Sequence, residues 1–402
     1  TIHINSGRIT TDVFFKMGLS MASTEPPMFE GTIAIKDFGF IYKPRNIIIS
    51  QSRISLQFHE QDVFVNNASL KLNNKSELSV KGSVKNFINL YYKDPEKIVF
   101  DWYLQSNMIN LDDLQGLFAH RKKTKAARRI NSKNLVNQVS QQLDEVLEKS
   151  NVKIQTSVAQ LVYKKFLATD ISATILMSQN GIAIEHAMVK SADGTLQWNA
   201  NIDQRGTVNN IELFADLSQV NISKFFYSFN DFEQTAISSK NIKGILNAKL
   251  ETQLKITDDG EVIPGSVWGN AKFSLTDGEF NQFEPFKKIG KIMFKSRKLD
   301  QVSFKPIKSR LDFLGDKIKI NPLYIESSAF VMRLEGIYGM NHSTNIWLDI
   351  PLSNKLQDSS VLNNQLRFEK NMKGIVLRLQ AVDDSSGNVQ IKFRSRTDTL
   401  QQ

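Results

Sequence analysis

The chain of 402 residues contains no cysteine. That absence excludes disulfides, thiol nucleophiles and cysteine-based zinc or iron–sulfur sites together. Histidine is scarce as well: His3, His59, His120, His186 and His342 stand singly, with no partner at metal-ligand spacing. No stretch approaches the ~20 apolar residues of a membrane-spanning helix. No phosphate-cradling glycine loop precedes a helix, and "GSVWG" at 265–269 has its serine in the wrong place for a nucleophile elbow. Of three Asp-Asp pairs, Asp112-Asp113, Asp258-Asp259 and Asp383-Asp384, the last two sit beside Gly260 and Ser385-Ser386-Gly387. Those neighbours mark turns rather than acid/base pairs or calcium ligands. The expectation is a protein that is not an enzyme and uses no metal or cofactor.

Charge is unbalanced. Lys plus Arg number 51 against 41 Asp plus Glu, and the sequence pI is about 9.4. Such a balance suits an anionic partner, nucleic acid or phospholipid headgroups, and equally suits plain solubility. Against nucleic acid, the basic residues are spread through the chain rather than gathered with aromatics on one module. The densest positive run is "RKKTKAARR", with Arg121, Lys122, Lys123, Lys125, Arg128 and Arg129. It precedes "NSKNLVNQVSQQLDEVLEK", where Leu135, Val139, Leu143 and Val146 make a helical apolar stripe and Ser132 is placed to cap. A positive run at a helix N-terminus opposes the macrodipole, so its purpose is not to stabilise the helix. Two readings stand: docking on anionic headgroups, with the helix on a membrane or over a groove, or a solvated loop leading to a helix packed on the sheet.

What the sequence has in abundance is alternation. "GNAKFSLTDGEF", residues 269–280, puts Ala271, Phe273 and Leu275 on one side of an extended chain, then turns at Asp277-Gly278. Similar period-2 segments recur from end to end, separated by Asn-Asn, Asp-Gly, Ser-Ser and Gly-Asn pairs. The pattern predicts a mainly β protein: a long antiparallel meander curled into an elongated groove or half-barrel, with one amphipathic helix. Short helical turns are expected around Asn221 to Asp231 and Glu284 to Gly290. A longer unit also repeats, in "VFVNNASLKLNNKSELSVKGSV" from Val63, "IAIEHAMVKSADGTLQWNANI" from Ile182 and "IKINPLYIESSAFVMRLEGIY" from Ile318. Each is an apolar pair, a small or polar break, a second strand, a turn and a third strand, and three copies suffice for a stacked array. The chain divides into β-groove repeats (1–115), a basic loop and amphipathic helix (116–152), a β-repeat segment with a short helix (153–236) and a C-terminal β region (237–402).

The segment "GILNAKLETQLKI…IPGSVWGNAKFSLTDGEFNQFEPFKKIGKI", Gly244 to Ile292, resembles the C-terminal region of the AsmA family. The matching positions are Gly244, Gly269, Phe273, Leu275, Asp277, Gly278, Phe280 and Phe283. A looser similarity covers most of the chain from Gly31 to Pro351. The resemblance implies a protein of the Gram-negative envelope with a large periplasmic β-rich part and an inner-membrane anchor, related to bridge-like lipid-transfer proteins built of β-groove units. The anchor is not in this sequence, which opens in a strand pattern and is expected to be a piece of a longer chain.

Alternation and resemblance together suggest a mechanism. About eighteen strands at ~4.8 Å spacing would run on the order of 85 Å, and an apolar groove of that length needs filling. Acyl chains would fill it at ~0.8 kcal/mol per buried methylene, with headgroups left in water. The residues expected to line it are Ile33, Ile35, Leu78, Val80, Phe100, Trp102, Leu196, Trp198, Phe273, Leu275, Leu334, Ile346 and Leu348; the competing reading packs them into closed cores. The expected partners are a phospholipid or other acyl-chain lipid and a membrane surface. Outer-membrane proteins come in under a second reading, a scaffold that holds their strands by augmentation. An adhesin or structural solenoid is a third.

Overall fold

The computed structural model describes residues 2–16, 28–42, 47–73, 75–89, 94–113, 149–233, 237–257, 261–293, 299–340, 343–352, 365, 368–369, 372, 374–385, 387, 389–395 and 398. Among them, twenty strands form one open sheet. The first six are β1 (Ile2–Lys16), β2 (Met28–Tyr42), β3 (Ile47–Glu60), β4 (Asp62–Leu72), β5 (Ser76–Lys85) and β6 (Val99–Asn110). Next come β7 (Asn151–Tyr163), β8 (Phe166–Ser178), β9 (Gly181–Ser191), β10 (Gly194–Asp203), β11 (Asn209–Asn221), β12 (Ile242–Ile256) and β13 (Trp268–Asn281). The last are β14 (Gln301–Phe304), β15 (Ile307–Leu314), β16 (Lys317–Glu326), β17 (Val331–Gly339), β18 (Asn345–Pro351), β19 (Val376–Asp383) and β20 (Val389–Phe393). Two short helices, α1 (Ile222–Ser228) and α2 (Glu284–Met293), stand where the sequence predicts helical turns.

Sheet order follows chain order. Each strand pairs with the next, except that β14 and β15 share one edge of β13, against residues 278–281 and 268–275 respectively. Pro306 lies between them and has no N–H to give a ladder. No described pairing joins β1 to β20, so both edges are open. Nineteen ranks at ~4.8 Å give a run of roughly 85 Å along the sheet.

One pairing departs from the expected meander: β6 and β7 are parallel, Val99 opposite Asn151 and Asn110 opposite Val162. Alternation carries no strand direction, so a parallel neighbour reads no differently from an antiparallel one. A parallel pair needs a connection of a dozen or more residues, and residues 111–150 supply it. The basic run and the amphipathic stripe fall in 114–148, outside the described residues.

The polar breaks in the repeated units are β-bulges. Val65 and Ala68 of β4 face Gly82 and Val80, so that Asn66 and Asn67 stand opposite the single residue Lys81. Ile184 and Ala187 of β9 face Ala200 and Trp198 in the same way, and Ile320 and Leu323 of β16 face Gly336 and Leu334. One extra residue resets the alternation, so the apolar side chains stay on one face while the strand bends. The same offset occurs at Asp37, Gln51, Asp170, Gln219 and Asp277, each with φ between 50° and 57°. Bulges thus recur in at least eight of the described strands, staggered from one to the next, a feature that alternation alone does not announce.

Glycine tightens the curl elsewhere. Gly82 has φ of +148° and a Cβ there would stand 2.1 Å from Asp101 O; Gly336, at +139°, would meet Asn345 O at 2.2 Å. Both occupy positions on the apolar face, opposite Trp102 and Ile346. The missing side chain lets neighbouring backbones approach, and a large cross-strand residue covers the gap.

Candidate functional site, an apolar face sealed along one end of the strands

Strand register brings all thirteen expected residues to one face. Ile33 and Ile35 pair with Leu56 and Ile54. Ile54 leads through Ala68 and Val80 to Leu104, and Trp102 leads through Ile154 and Ile175 to Ile184. From Ile184 the row continues through Ala200, which shares this face with Trp198 and Leu196. Those two pair with Ala215 and Leu217, which pair with Leu250 and Ala248. Ala248 meets Phe273 and Leu246 meets Leu275. At the far end Leu334 meets Leu348, which meets Leu379, and Ile346 meets Ala381.

Burial divides this face along the strands. Toward the end that carries α1 and α2, one hydrophobic cluster runs continuously from Leu72 and Leu78 through Val158, Ala168, Val189, Leu217, Val220 and Leu275 to Ile350 and Leu379. There Ile222 of α1 and Phe286 of α2 enter the core, and Phe286 packs edge-on against Phe280 and Phe330. Toward the other end most of the same face is half-buried, as at Phe100, Trp102, Ile154, Ile175, Met177, Ile184, Ile202, Ile211 and Leu213, while Val63, Val152 and Ile182 are buried there too. The bulges do not mark the boundary in every strand: Leu217 of β11 and Leu275 of β13 are buried although they lie on the open side of the bulges at Gln219 and Asp277. Of the thirteen expected residues, Leu78, Leu196, Leu275 and Leu348 are buried and the other nine are half-buried.

At that half-buried end of the strands a cleft of about 700 Å³ runs from β6 to β11, lined mostly by the opposite face through the cross-strand rows Asn151, Ser178, Gly181, Asp203 and Asn210 and Lys153, Leu176, Ala183, Asn201 and Glu212. Val152, Met177, Ile182 and Ile202 reach it from the apolar face, and Arg205 lies beside it. Arg205 grips Asp203 with two bonds, of 2.9 and 2.7 Å. That guanidinium holds the Asp203 carboxyl down to about 2, so the pair stays ionised at any ordinary pH. The Trp102 indole N–H is shielded from solvent and has no acceptor among the described residues. Sequence reasoning named Trp102, which does not line this cleft, and passed over Ile154 and Ile175, which alternate as visibly as any residue chosen and share its half-buried face.

Chemistry of other kinds is sparse. Among the described residues no group of three or more His, Cys, Asp or Glu could hold a metal, and no helix is long and apolar enough to cross a membrane. Asp113, from the first carboxylate pair, is buried and accepts a hydrogen bond from Ser76 Oγ at 2.9 Å, tying the end of β6 to the start of β5. The six basic residues from Arg121 to Arg129 lie outside the described residues. No family model, curated protein or solved structure matches the chain.

Proposed function

We propose that the apolar face holds the acyl chains of a lipid and that the protein is a lipid-binding or lipid-transfer part of a cell-envelope assembly. The observation that carries this reading is the half-buried apolar zone, continuous in register from β2 to β13 and open along one end of the strands. A sealed core would bury both ends alike. Each methylene placed there would gain ~0.8 kcal/mol, while solvent at the open ends of the strands would meet the headgroup. The unpartnered indole N–H of Trp102 suits an ester carbonyl. The AsmA resemblance supports a periplasmic setting, between inner and outer membranes, on an anchor outside this sequence.

The test is lipid extraction and mass spectrometry of protein purified without detergent. Stoichiometric phospholipid is expected in the parent, and an at least roughly tenfold lower content in a double variant, Ile154→Asp with Ile202→Asp, that keeps a β-rich circular dichroism spectrum. A folded parent that carries no lipid defeats the proposal.

The unpaired edge of β1, fifteen residues long, favours a second reading, in which a strand from an outer-membrane protein is held by augmentation. Cross-linking of a strand peptide to β1 in lipid-free protein would support that reading instead.

A further inference from the structure

The α1 end of the sheet carries an apolar knob that the open zone does not use. Asn221 caps α1, accepting from the Lys224 backbone N–H at 3.2 Å, and Ile222 anchors the helix in the core. Beyond the helix the chain turns through Asn230, Asp231 and Phe232, at φ of 53°, 54° and 54°. A bulky residue rarely occupies that region, and three in succession mark a strained turn held in place by its surroundings. The turn sets the Phe232 ring parallel to that of Phe229, with centroids 5.6 Å apart, and Phe229 also packs on Phe166 of β8 at 5.4 Å. The rings are nevertheless wet: Tyr227 is 57% exposed, Leu167 56%, Phe232 49% and Phe229 40%.

Lysines flank the knob. Lys164 Nζ lies 5.3 Å from the Tyr163 ring centroid and Lys165 Nζ 5.2 Å from that of Tyr227. Lys165 also donates to Asn230 Oδ1 at 2.7 Å, and neither lysine makes an ion pair among the described residues. Two nearby carboxylates are ion-paired, Asp193 with Lys224 at 2.6 Å and Asp170 with Lys190 at 2.9 Å, while Asp231 accepts the Ser239 N–H at 2.7 Å and keeps its charge. Among the described side chains beside the rings, the two ammonium groups of Lys164 and Lys165 are therefore set against the one carboxylate of Asp231. A convex cluster of aromatic rings, with lysine stems lying on them and ammonium heads reaching outward, matches a bilayer interface, apolar below and anionic above.

We infer that the knob of Leu167, Tyr227, Phe229 and Phe232 inserts into the interfacial region of an anionic lipid bilayer, attaching the sheet side-on by the sealed end of its strands. This attachment is separate from lipid uptake on the apolar face. It is also a different surface from the basic run that sequence reasoning assigned to membrane docking.

Flotation with vesicles of phosphatidylcholine, with and without phosphatidylglycerol, tests it. The parent is expected to float with the anionic vesicles. The triple variant Tyr227→Ser, Phe229→Ser and Phe232→Ser should bind at least about tenfold more weakly, compared at a temperature where circular dichroism shows both proteins folded, since Phe229 and Phe232 also pack on Phe166, Phe225 and Phe226. The Ile154→Asp, Ile202→Asp variant should float like the parent, which separates docking from groove occupancy. In a second measurement, Phe229→Trp should shift its emission to the blue on vesicle addition and be quenched by acyl chains brominated near the headgroup. A parent that does not float, or a triple variant that floats as well as the parent, overturns the proposal. So would a Phe229→Trp emission that responds only to a co-purified protein.

Discussion

Leu275→Asp is expected to unfold the protein, whereas Phe273→Asp, two residues away on the same face of β13, should leave it folded. Leu275 is only 2% exposed and sits in the sealed cluster, paired with Leu246 on one side and Ile307 on the other. Truncating such a leucine costs about 2–5 kcal/mol by lost packing. Burying an unpaired carboxylate adds several more kcal/mol, or forces it to take up a proton. The sum is comparable with the whole stability of a typical domain, about 5–15 kcal/mol. Phe273 is half-buried between Ala248 and Ser309, so a carboxylate there keeps contact with water. Thermal melts followed by circular dichroism decide the matter. Equal midpoints for the two variants would show that the face is not divided into a sealed and an open zone.

The second large effect is expected at a residue with no side chain. Gly82→Val should cost upwards of about 4 kcal/mol, from a φ that L-residues avoid and from overpacking, each about 1–3 kcal/mol, with further loss if β5 and β6 separate. A Cβ at Gly82 would meet Asp101 O at 2.1 Å and Trp102 Cα at 2.9 Å, both backbone atoms that cannot swing aside. Gly206→Val is the matched control: its Cβ would approach nothing closer than Val208 O at 3.4 Å, and a shift within about 0.5 kcal/mol is expected. Urea titrations give both numbers. If Gly82→Val unfolds at the parent's midpoint, the close backbone approach is not what curls this part of the sheet.

Strand content was legible because a half-buried strand writes itself as alternation. The hairpin turns, α1 and α2 were legible for similarly local reasons. The positive-φ residues at the bulges, Asp37, Asp170, His186 and Asp277 among them, had a signal too. Polar doublets such as Asn66-Asn67 and Glu185-His186 interrupt an apolar pattern that then resumes one place out of phase. Read as loops, they divide strands; read as bulges, they bend them.

The candidate site was legible only in outline. Alternation picked out residues that do share one face, and the AsmA resemblance supplied the idea of a lipid. Nothing local distinguishes Leu275, which is sealed, from Phe273, which is half-open, since both are apolar and both alternate. The exposed rings of Tyr227, Phe229 and Phe232 were equally hidden, because an aromatic run beside a helix reads as core until the structure shows solvent around it.

The amino-acid sequence by itself determined that this protein is a β-sheet with one apolar face, because a two-residue period lets every strand declare which side avoids water. Tertiary structure alone decided that β6 and β7 run parallel, that polar doublets within strands are bulges rather than loops, and that one end of the strands is sealed while the other is mostly half-buried. Direction, alignment between strands and depth of burial are relations among residues far apart in the chain. They depend on which strand lies beside which, and a local pattern of apolar and polar residues carries no record of that.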